Sequence, residues 1–139
     1  MYKKFFKKII AQSLSDLQMI SACCYEAKVK LLDIKYLKKN QIFLISLVRY
    51  NLEDEKNSEQ INSVLKFDYI KSSKSKNINQ LDENITLKLI AIDVYKKQEN
   101  YEIILLFSEN AIITLSAEII DVTLEDQKKL ENDKNTKNK

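Results

Sequence analysis

The sequence predicts an α+β fold: a curved, mostly antiparallel sheet of about seven strands, partly barrel-like, with one amphipathic helix after the first strand. The clearest helical spacing of apolar residues lies between residues 13 and 28. From there to residue 124 the apolar residues alternate with the period of two that β-strands require. Because 139 residues suit one core, we expect a single domain over residues 1–126 and a frayed polar tail over 127–139.

The first dozen residues allow two interpretations. Their apolar side chains have the spacing of a cationic amphipathic helix of the membrane-surface kind. These side chains are Tyr2, Phe5, Phe6, Ile9 and Ile10. The alternative is a first strand from about Phe6 to Gln12, and we favour it because so short a helix is marginal without packing.

The stretch "SLSDLQMISACCYEAK" carries the helix signal. Ser15 and Gln18 form a capping-box pattern, and Asp16 places negative charge on the first turn, where the helix dipole favours it. One side of the helical wheel is apolar and therefore predicted to be buried. It consists of Leu17, Ile20, Cys23, Cys24 and Ala27.

Six strands are predicted after the helix. Their approximate ranges are 28–37, 41–50, 61–72, 85–96, 101–108 and 111–124. The stretch "QIFLISLVRY" is apolar on both pleat faces, so we expect it to lie centrally and to be covered on both sides. In the last strand the alternation changes phase at Ile119 and Ile120, which predicts a bulge or bend.

The connections contain no glycine, so another residue must supply positive φ. Asn tolerates the left-handed region best, and the three tight turns place Asn40, Asn100 and Asn110 there. The longer polar stretches over residues 53–60 and 72–84 are predicted to be surface loops.

Five blocks of this sequence resemble, in order and spacing, a family of short alphaproteobacterial proteins known as domain of unknown function 2948. The blocks are "DLQMISACCYEAKVK", "QIFLISLVRY", "VLKFDYIKSSKSKNI", "LKLIAIDVY" and "ITLSAEIIDVTLED". The resemblance covers about residues 6–126, favours the strand over residues 6–12 and implies no activity, cofactor or partner. It implies that Arg49 occupies a shared basic position and that Thr114 stands where other members often carry a basic residue.

The composition removes most catalytic chemistry. The chain has no His and no Gly, which excludes imidazole-activated nucleophiles, a P-loop and a dinucleotide fingerprint. Cys23 and Cys24 project about 100° apart on a helix and no further Cys or His could complete a zinc site, so packing is the favoured interpretation. We expect no catalytic residue, metal or cofactor. Acids remain only as isolated candidates: Asp33, Glu53, Asp54, Asp68, Asp93 and Asp121.

Arg49 is the single arginine among many lysines. A guanidinium offers a planar, forked contact that an ammonium cannot reproduce, so Arg49 and Tyr50 are possible interaction residues. An intramolecular partner is expected to be Asp33 or an acid of residues 53–55. The alternative is that Arg49 is simply one surviving Arg codon in a lysine-rich sequence.

A second candidate surface is cationic. Lys71, Lys74 and Lys76 lie close together, with Tyr69 nearby, and lysines beside an aromatic ring can hold a nucleic acid or another anionic surface. Lysine bias alone gives the same spacing, so nucleic-acid binding is not the favoured function.

The preferred function is a non-enzymatic protein-interaction or regulatory module that self-associates. One helix cannot cover several strands that are apolar on both faces, so a curled sheet or a second subunit must do so. A barrel that binds a small ligand is the other binding alternative. No stretch is long and apolar enough for a transmembrane helix or a signal-peptide core, so a cytoplasmic location is expected.

Overall fold

The computed structural model describes residues 7–50, 60–82 and 84–127. These residues form one α-helix, α1 (Leu14–Cys23), and nine strands. The strands are β1 (Lys8–Ala11), β2 (Ala27–Leu37), β3 (Ile42–Tyr50), β4 (Gln60–Phe67), β5 (Ile70–Lys76), β6 (Thr86–Lys97), β7 (Asn100–Phe107), β8 (Ile112–Ala117) and β9 (Val122–Asp126). The predicted α+β class, with one helix after the first strand, is confirmed.

All nine strands form one antiparallel sheet in the order β1-β9-β4-β3-β2-β6-β7-β8-β5. The sheet is not closed, because β1 and β5 are its two edges. Nine strands replace the expected seven because the predicted strands 61–72 and 111–124 each divide into two. Residues 72–76, expected to be loop, continue β5 instead.

The break between β4 and β5 lies beside the break between β8 and β9, and together they form one corner of the sheet. Tyr69, between β4 and β5, has a φ of 60° and breaks the strand. The amide of Asp68 donates to the carbonyl of Asp121, and the amide of Glu118 donates to the carbonyl of Tyr69. The two segments, residues 68–69 and residues 118–121, therefore bend at the same place. The phase change at Ile119 and Ile120 predicted the second of these bends. Because β4 and β9 pair on one side of this corner and β5 and β8 on the other, the sheet curls around its core.

The first strand and the helix confirm the predicted order. β1 pairs with β9, which supports the strand interpretation for residues 8–11; residues 1–6, part of both interpretations, lie outside the described ranges. The helix begins at Leu14 and its N-cap is Ser13, whose Oγ accepts a hydrogen bond from the amide of Asp16. The predicted cap at Ser15 is wrong by two residues, because Ser13 already places a side-chain acceptor three residues before an amide of the first turn.

The helix ends earlier than the apolar pattern predicted. Its last residue is Cys23, Glu26 has a φ of 62°, and β2 begins at Ala27. The burial predicted from the helical wheel is nevertheless confirmed for four of its residues. These are Leu17, Ile20, Cys24 and Ala27. The helix packs against β6 and β1 and covers one part of the core.

Only one of the three predicted turn residues has positive φ. Asn110 has a φ of 59°, whereas Gln41 and Gln98 take the left-handed conformation in place of Asn40 and Asn100. Turn length and strand register set which position needs positive φ. The left-handed conformation costs a residue with a side chain about 1–2 kcal/mol, and this cost does not prevent residues such as Gln41 and Gln98 from adopting it.

The core lies on the concave side of the curled sheet. On β3, Phe43, Ile45 and Leu47 point inward and are buried. On the opposite pleat face, Ile42 and Val48 are only half-buried, so the expectation that this strand is covered on both sides is wrong for the described residues. The convex side therefore presents apolar surface outside the core.

Candidate functional site

A groove on the convex side of β5, β8, β7 and β6 is the first candidate site. Its floor is formed by the outward side chains Ile104, Leu106 and Ile112. Strand alternation explains them, because their neighbours on β7 and β8 point inward and are buried. The groove has a volume of about 600 Å³. We call it the outer groove.

Charged residues border the outer groove on opposite sides. Lys74 and Lys76 line it from the edge strand β5, and Asp93 and Tyr95 line it from β6. The strand register places Lys74 opposite Thr114, Thr114 opposite Ile104, and Ile104 opposite Asp93. One row across four strands therefore begins with an ammonium group and ends with a carboxylate.

The structure separates the predicted cationic residues into two groups. Lys74 and Lys76 share the convex face, because residues two apart on a strand point the same way. Lys71 lies at a register shift and its ammonium is 3.6 Å from the Glu118 carboxylate. Tyr69 lies at the corner and is 44% exposed. Lys71 therefore has an acidic neighbour, and an anion-binding surface formed by Tyr69, Lys71, Lys74 and Lys76 stays a prediction.

Arg49 points into the fold and is 2% exposed. Its Nε donates to Asp126 Oδ1 at 2.9 Å and its Nη2 donates to Asp126 Oδ2 at 2.6 Å. Within the described residues its partner is Asp126 and not the predicted Asp33; the other predicted partner, an acid of residues 53–55, lies outside the described ranges. Tyr50, the other predicted interaction residue, is half-buried at the end of β3.

Asp126 connects four segments of the chain. Besides Arg49 on β3, its carboxylate accepts hydrogen bonds from Ser63 Oγ on β4 and from the backbone amide of Lys7. Burial disfavours the charged forms, but the hydrogen bonds from Arg49 and Ser63 outweigh it and lower the pKa of Asp126. Burial likewise opposes the charge of Arg49, while the hydrogen bond to Asp126 raises the pKa of the guanidinium. Each buried charge of the pair is thus satisfied by a partner of opposite sign within the fold.

Sequence alternation contained a signal for this pair. On β9, Val122 and Leu124 point inward, and Asp126 lies two residues further along, so it points the same way. On β3, Arg49 likewise follows the inward Leu47 by two residues. A charged residue at an inward position requires a partner of opposite charge. Asp126 is the last residue of the predicted domain, and no partner was predicted for it.

The two cysteines differ in burial. Cys24 is fully buried in the core, and Cys23 is partly buried against it. Burial, together with the neighbouring Cys23, raises the pKa of the Cys24 thiol to about 12. Cys24 is thus an uncharged apolar side chain at ordinary pH, in line with the packing interpretation.

A second concavity, which we call the inner pocket, lies between β2 and the edge strand β5. Leu31 and Leu32 of β2 lie within a register shift between Val29 and Ile34, where β2 leaves its ladder with β3. The inner pocket has a volume of about 380 Å³. Its lining comprises Leu31, Leu32, Ile34, Tyr36, Phe43, Ser73, Ser75, Ile78, Gln80 and Ile113.

The acids of the described residues form no metal site. In the part of the chain that the structure describes, no three Asp, Glu or Cys residues are grouped so that they could hold a metal ion. Of the acids considered from the sequence, Asp68 lies 3.8 Å from the ammonium of Lys66 and Asp93 borders the outer groove. Within the same described ranges, no helix combines the length and apolar character that crossing a membrane takes.

Fold and surface together define an α+β protein with an open, curled antiparallel sheet and an apolar groove on its convex side. The family model "Protein of unknown function (DUF2948)" matches residues 7–139, nearly the whole chain. The chain belongs to the DUF2948 family, as its sequence blocks indicated.

Other comparisons add little. No curated protein matches the chain. A solved structure titled "Crystal structure of an uncharacterized protein from Neisseria gonorrhoeae" is 20% identical and has a TM-score of 0.43. The match covers 70% of this chain and 90% of the gonococcal one. Similarity at this level identifies no function.

Proposed function

We propose that this protein is a non-enzymatic protein-interaction module that self-associates through the outer groove. The observation that carries the proposal is the row Lys74–Thr114–Ile104–Asp93, which has opposite charges at its ends and an apolar side chain between them. Apolar patches rimmed by polar groups mark sites of protein association.

The row is self-complementary under two-fold symmetry. Strands lie about 4.8 Å apart, so the Cα atoms of Lys74 and Asp93 are about 14 Å apart across the four strands. A two-fold axis that lies in the interface and runs along the strands between β7 and β8 places Lys74 of one copy opposite Asp93 of the other. The same operation stacks the apolar floors. An isologous dimer needs a patch of this kind, complementary to itself.

The area of the patch limits the affinity. The patch spans four strands that lie about 4.8 Å apart and three rows of outward side chains that lie about 6.8 Å apart, so its area is about 400 Å² per copy. Stable interfaces bury about 800 Å² per partner, so the proposed dimer is a weak one. Sedimentation velocity should therefore cover protein concentrations from about 1 μM to about 1 mM.

Charge reversal tests the arrangement. Lys74→Asp places two carboxylates together across the interface, and Asp93→Lys places two ammonium groups together. Each variant alone should be monomeric where the unaltered chain dimerises. An equimolar mixture of the two variants should restore a dimer, because each interface pair then joins opposite charges. Lys35→Asp, on an exposed position of β2, is the matched control and should dimerise normally.

Two results would overturn the proposal: an unaltered chain that stays monomeric over the whole concentration range, or variants whose mixture fails to associate. Binding of single-stranded RNA is the competing outcome for the same lysines. The carboxylate of Asp93 and the Lys71–Glu118 pair oppose it. Titration of a labelled RNA oligonucleotide at low salt that shows tight, salt-sensitive binding lost in Lys74→Asp would favour that function instead.

A further inference from the structure

The inner pocket has the construction of a small-molecule site. Its volume of about 380 Å³ lies at the lower end of the range for ligand pockets, about 300–1,000 Å³. It opens where β2 leaves its ladder with β3, and β5 forms its other wall without pairing to β2. It therefore reaches from the surface to the buried core residues Phe43 and Ile113.

The two walls differ in chemistry. The β2 wall is apolar and presents Leu31, Leu32 and Ile34. The β5 wall presents hydroxyl groups, because Ser73 and Ser75 face inward opposite Leu115 and Ile113 of β8.

Most inward positions elsewhere in the described sheet carry apolar side chains, with Arg49, Ser63 and Asp126 as the buried polar exceptions. Gln80 adds an amide beside the two serines of β5, and its Nε2 donates to Ser75 Oγ at 2.7 Å. Among the residues that the structure describes, the lining contains no Lys, Arg, Asp or Glu.

We propose that the inner pocket binds an uncharged amphipathic small molecule. Its apolar body lies against the β2 wall and Phe43, and its hydroxyl or amide end bonds to Ser73, Ser75 or Gln80. A charged end group would lie in a pocket without a counter-charge, which is unfavourable. The proposal concerns the concave side of the sheet and does not rest on self-association through the outer groove.

Tyr36 holds the two sides of the pocket in place. Its hydroxyl donates to the carbonyl of Ile70 at 2.9 Å, which joins β2 to the start of β5. The amide of Ile70 in turn donates to the carbonyl of Gln41. The pocket is thus fixed at one end by one hydrogen bond between its two walls and by a second one from β5 to the turn after β2.

Fluorescence titration with N-phenyl-1-naphthylamine, an uncharged apolar probe, tests the inference. Saturable binding is expected, with displacement by 1-octanol. Octanoate and octylammonium have the same chain with a charged end, and each should compete at least about ten-fold more weakly. Ser75→Ala should weaken displacement by octanol about three- to ten-fold, since it removes one hydrogen-bonding group.

A charge at the mouth provides the second readout. Leu32 is 56% exposed at the rim, so Leu32→Arg should fold and should weaken probe binding at least about ten-fold. Leu37→Arg, at an exposed position of the same strand that does not line the pocket, is the matched control and should bind normally.

Absence of saturable binding, or equal binding by Leu32→Arg and the unaltered chain, would overturn the inference. So would equal competition by octanol, octanoate and octylammonium. Because Lys74→Asp disturbs only the outer groove, it should bind the probe normally, which separates this inference from the proposed self-association.

Discussion

Asp126→Asn is expected to lower the free energy of unfolding by about 3–5 kcal/mol. The carboxylate accepts hydrogen bonds from Arg49 Nε and Nη2, from Ser63 Oγ and from the amide of Lys7. Asn keeps the volume but removes the charge and replaces one acceptor oxygen by a donor, which must face other donors. The guanidinium, whose side chain is 3% exposed, then remains buried without a counter-charge.

This loss is large relative to the stability of an ordinary domain, about 5–15 kcal/mol. With an m-value of about 2 kcal/mol/M, a loss of about 4 kcal/mol lowers the urea midpoint by about 2 M. Equilibrium urea unfolding followed by far-UV circular dichroism measures the shift.

An exposed ion pair supplies the matched control. Lys97 lies 3.7 Å from Glu102, and its side chain is 70% exposed. Lys97→Met should therefore cost less than about 1 kcal/mol.

The double variant Arg49→Met with Asp126→Leu should recover part of the loss seen in Asp126→Asn, because it leaves no buried charge unpaired. A loss in Asp126→Asn no larger than in Lys97→Met would refute the view that Arg49 and Asp126 form a desolvated pair.

Two further predictions concern titratable groups. In native protein at pH 8, a thiol reagent should modify Cys23 well before Cys24. The reason is that a pKa of about 12 makes the Cys24 thiolate about a thousand-fold scarcer than a thiol with the ordinary pKa of 9.0 would give. Similar labelling rates of the two cysteines, measured by mass spectrometry, would contradict this. Since the pKa of Asp126 is lower in the folded than in the unfolded chain, the free energy of unfolding should fall as the pH decreases from about 5 through that lowered pKa. Asp126→Asn should lack this contribution, so a difference in urea midpoint between the two proteins that stays constant from pH 6 to pH 2.5 would argue against it.

Local periodicity predicted the elements well. The alternation that places Phe43, Ile45 and Leu47 on one face puts Arg49 on the same face, and all four are buried; Arg49 had been predicted only as a possible interaction residue. The same reasoning located the bend near Ile119 and Ile120. Parity along a strand depends only on neighbouring residues, so it can be read without knowing the partner strand.

The candidate sites were predicted less well. Lys74 was chosen for its charge, but its position opposite Asp93 depends on three successive strand pairings. The inward direction of Ser73 and Ser75 could not be predicted, because residues 72–84 were expected to be a loop and a loop has no alternating faces. A polar, serine-rich strand lacks the apolar alternation by which strands are recognised.

The sequence by itself determined the class of fold, the helix after the first strand, the alternation of side chains along the apolar strands and the family. Each follows from local spacing or from blocks of residues in order. The tertiary structure alone decided the order of nine strands, the corner at Tyr69, the Arg49–Asp126 pair and the two concavities. These features depend on contacts between residues far apart in the chain, whose register is set only when the strands pair and the sheet curls around its core.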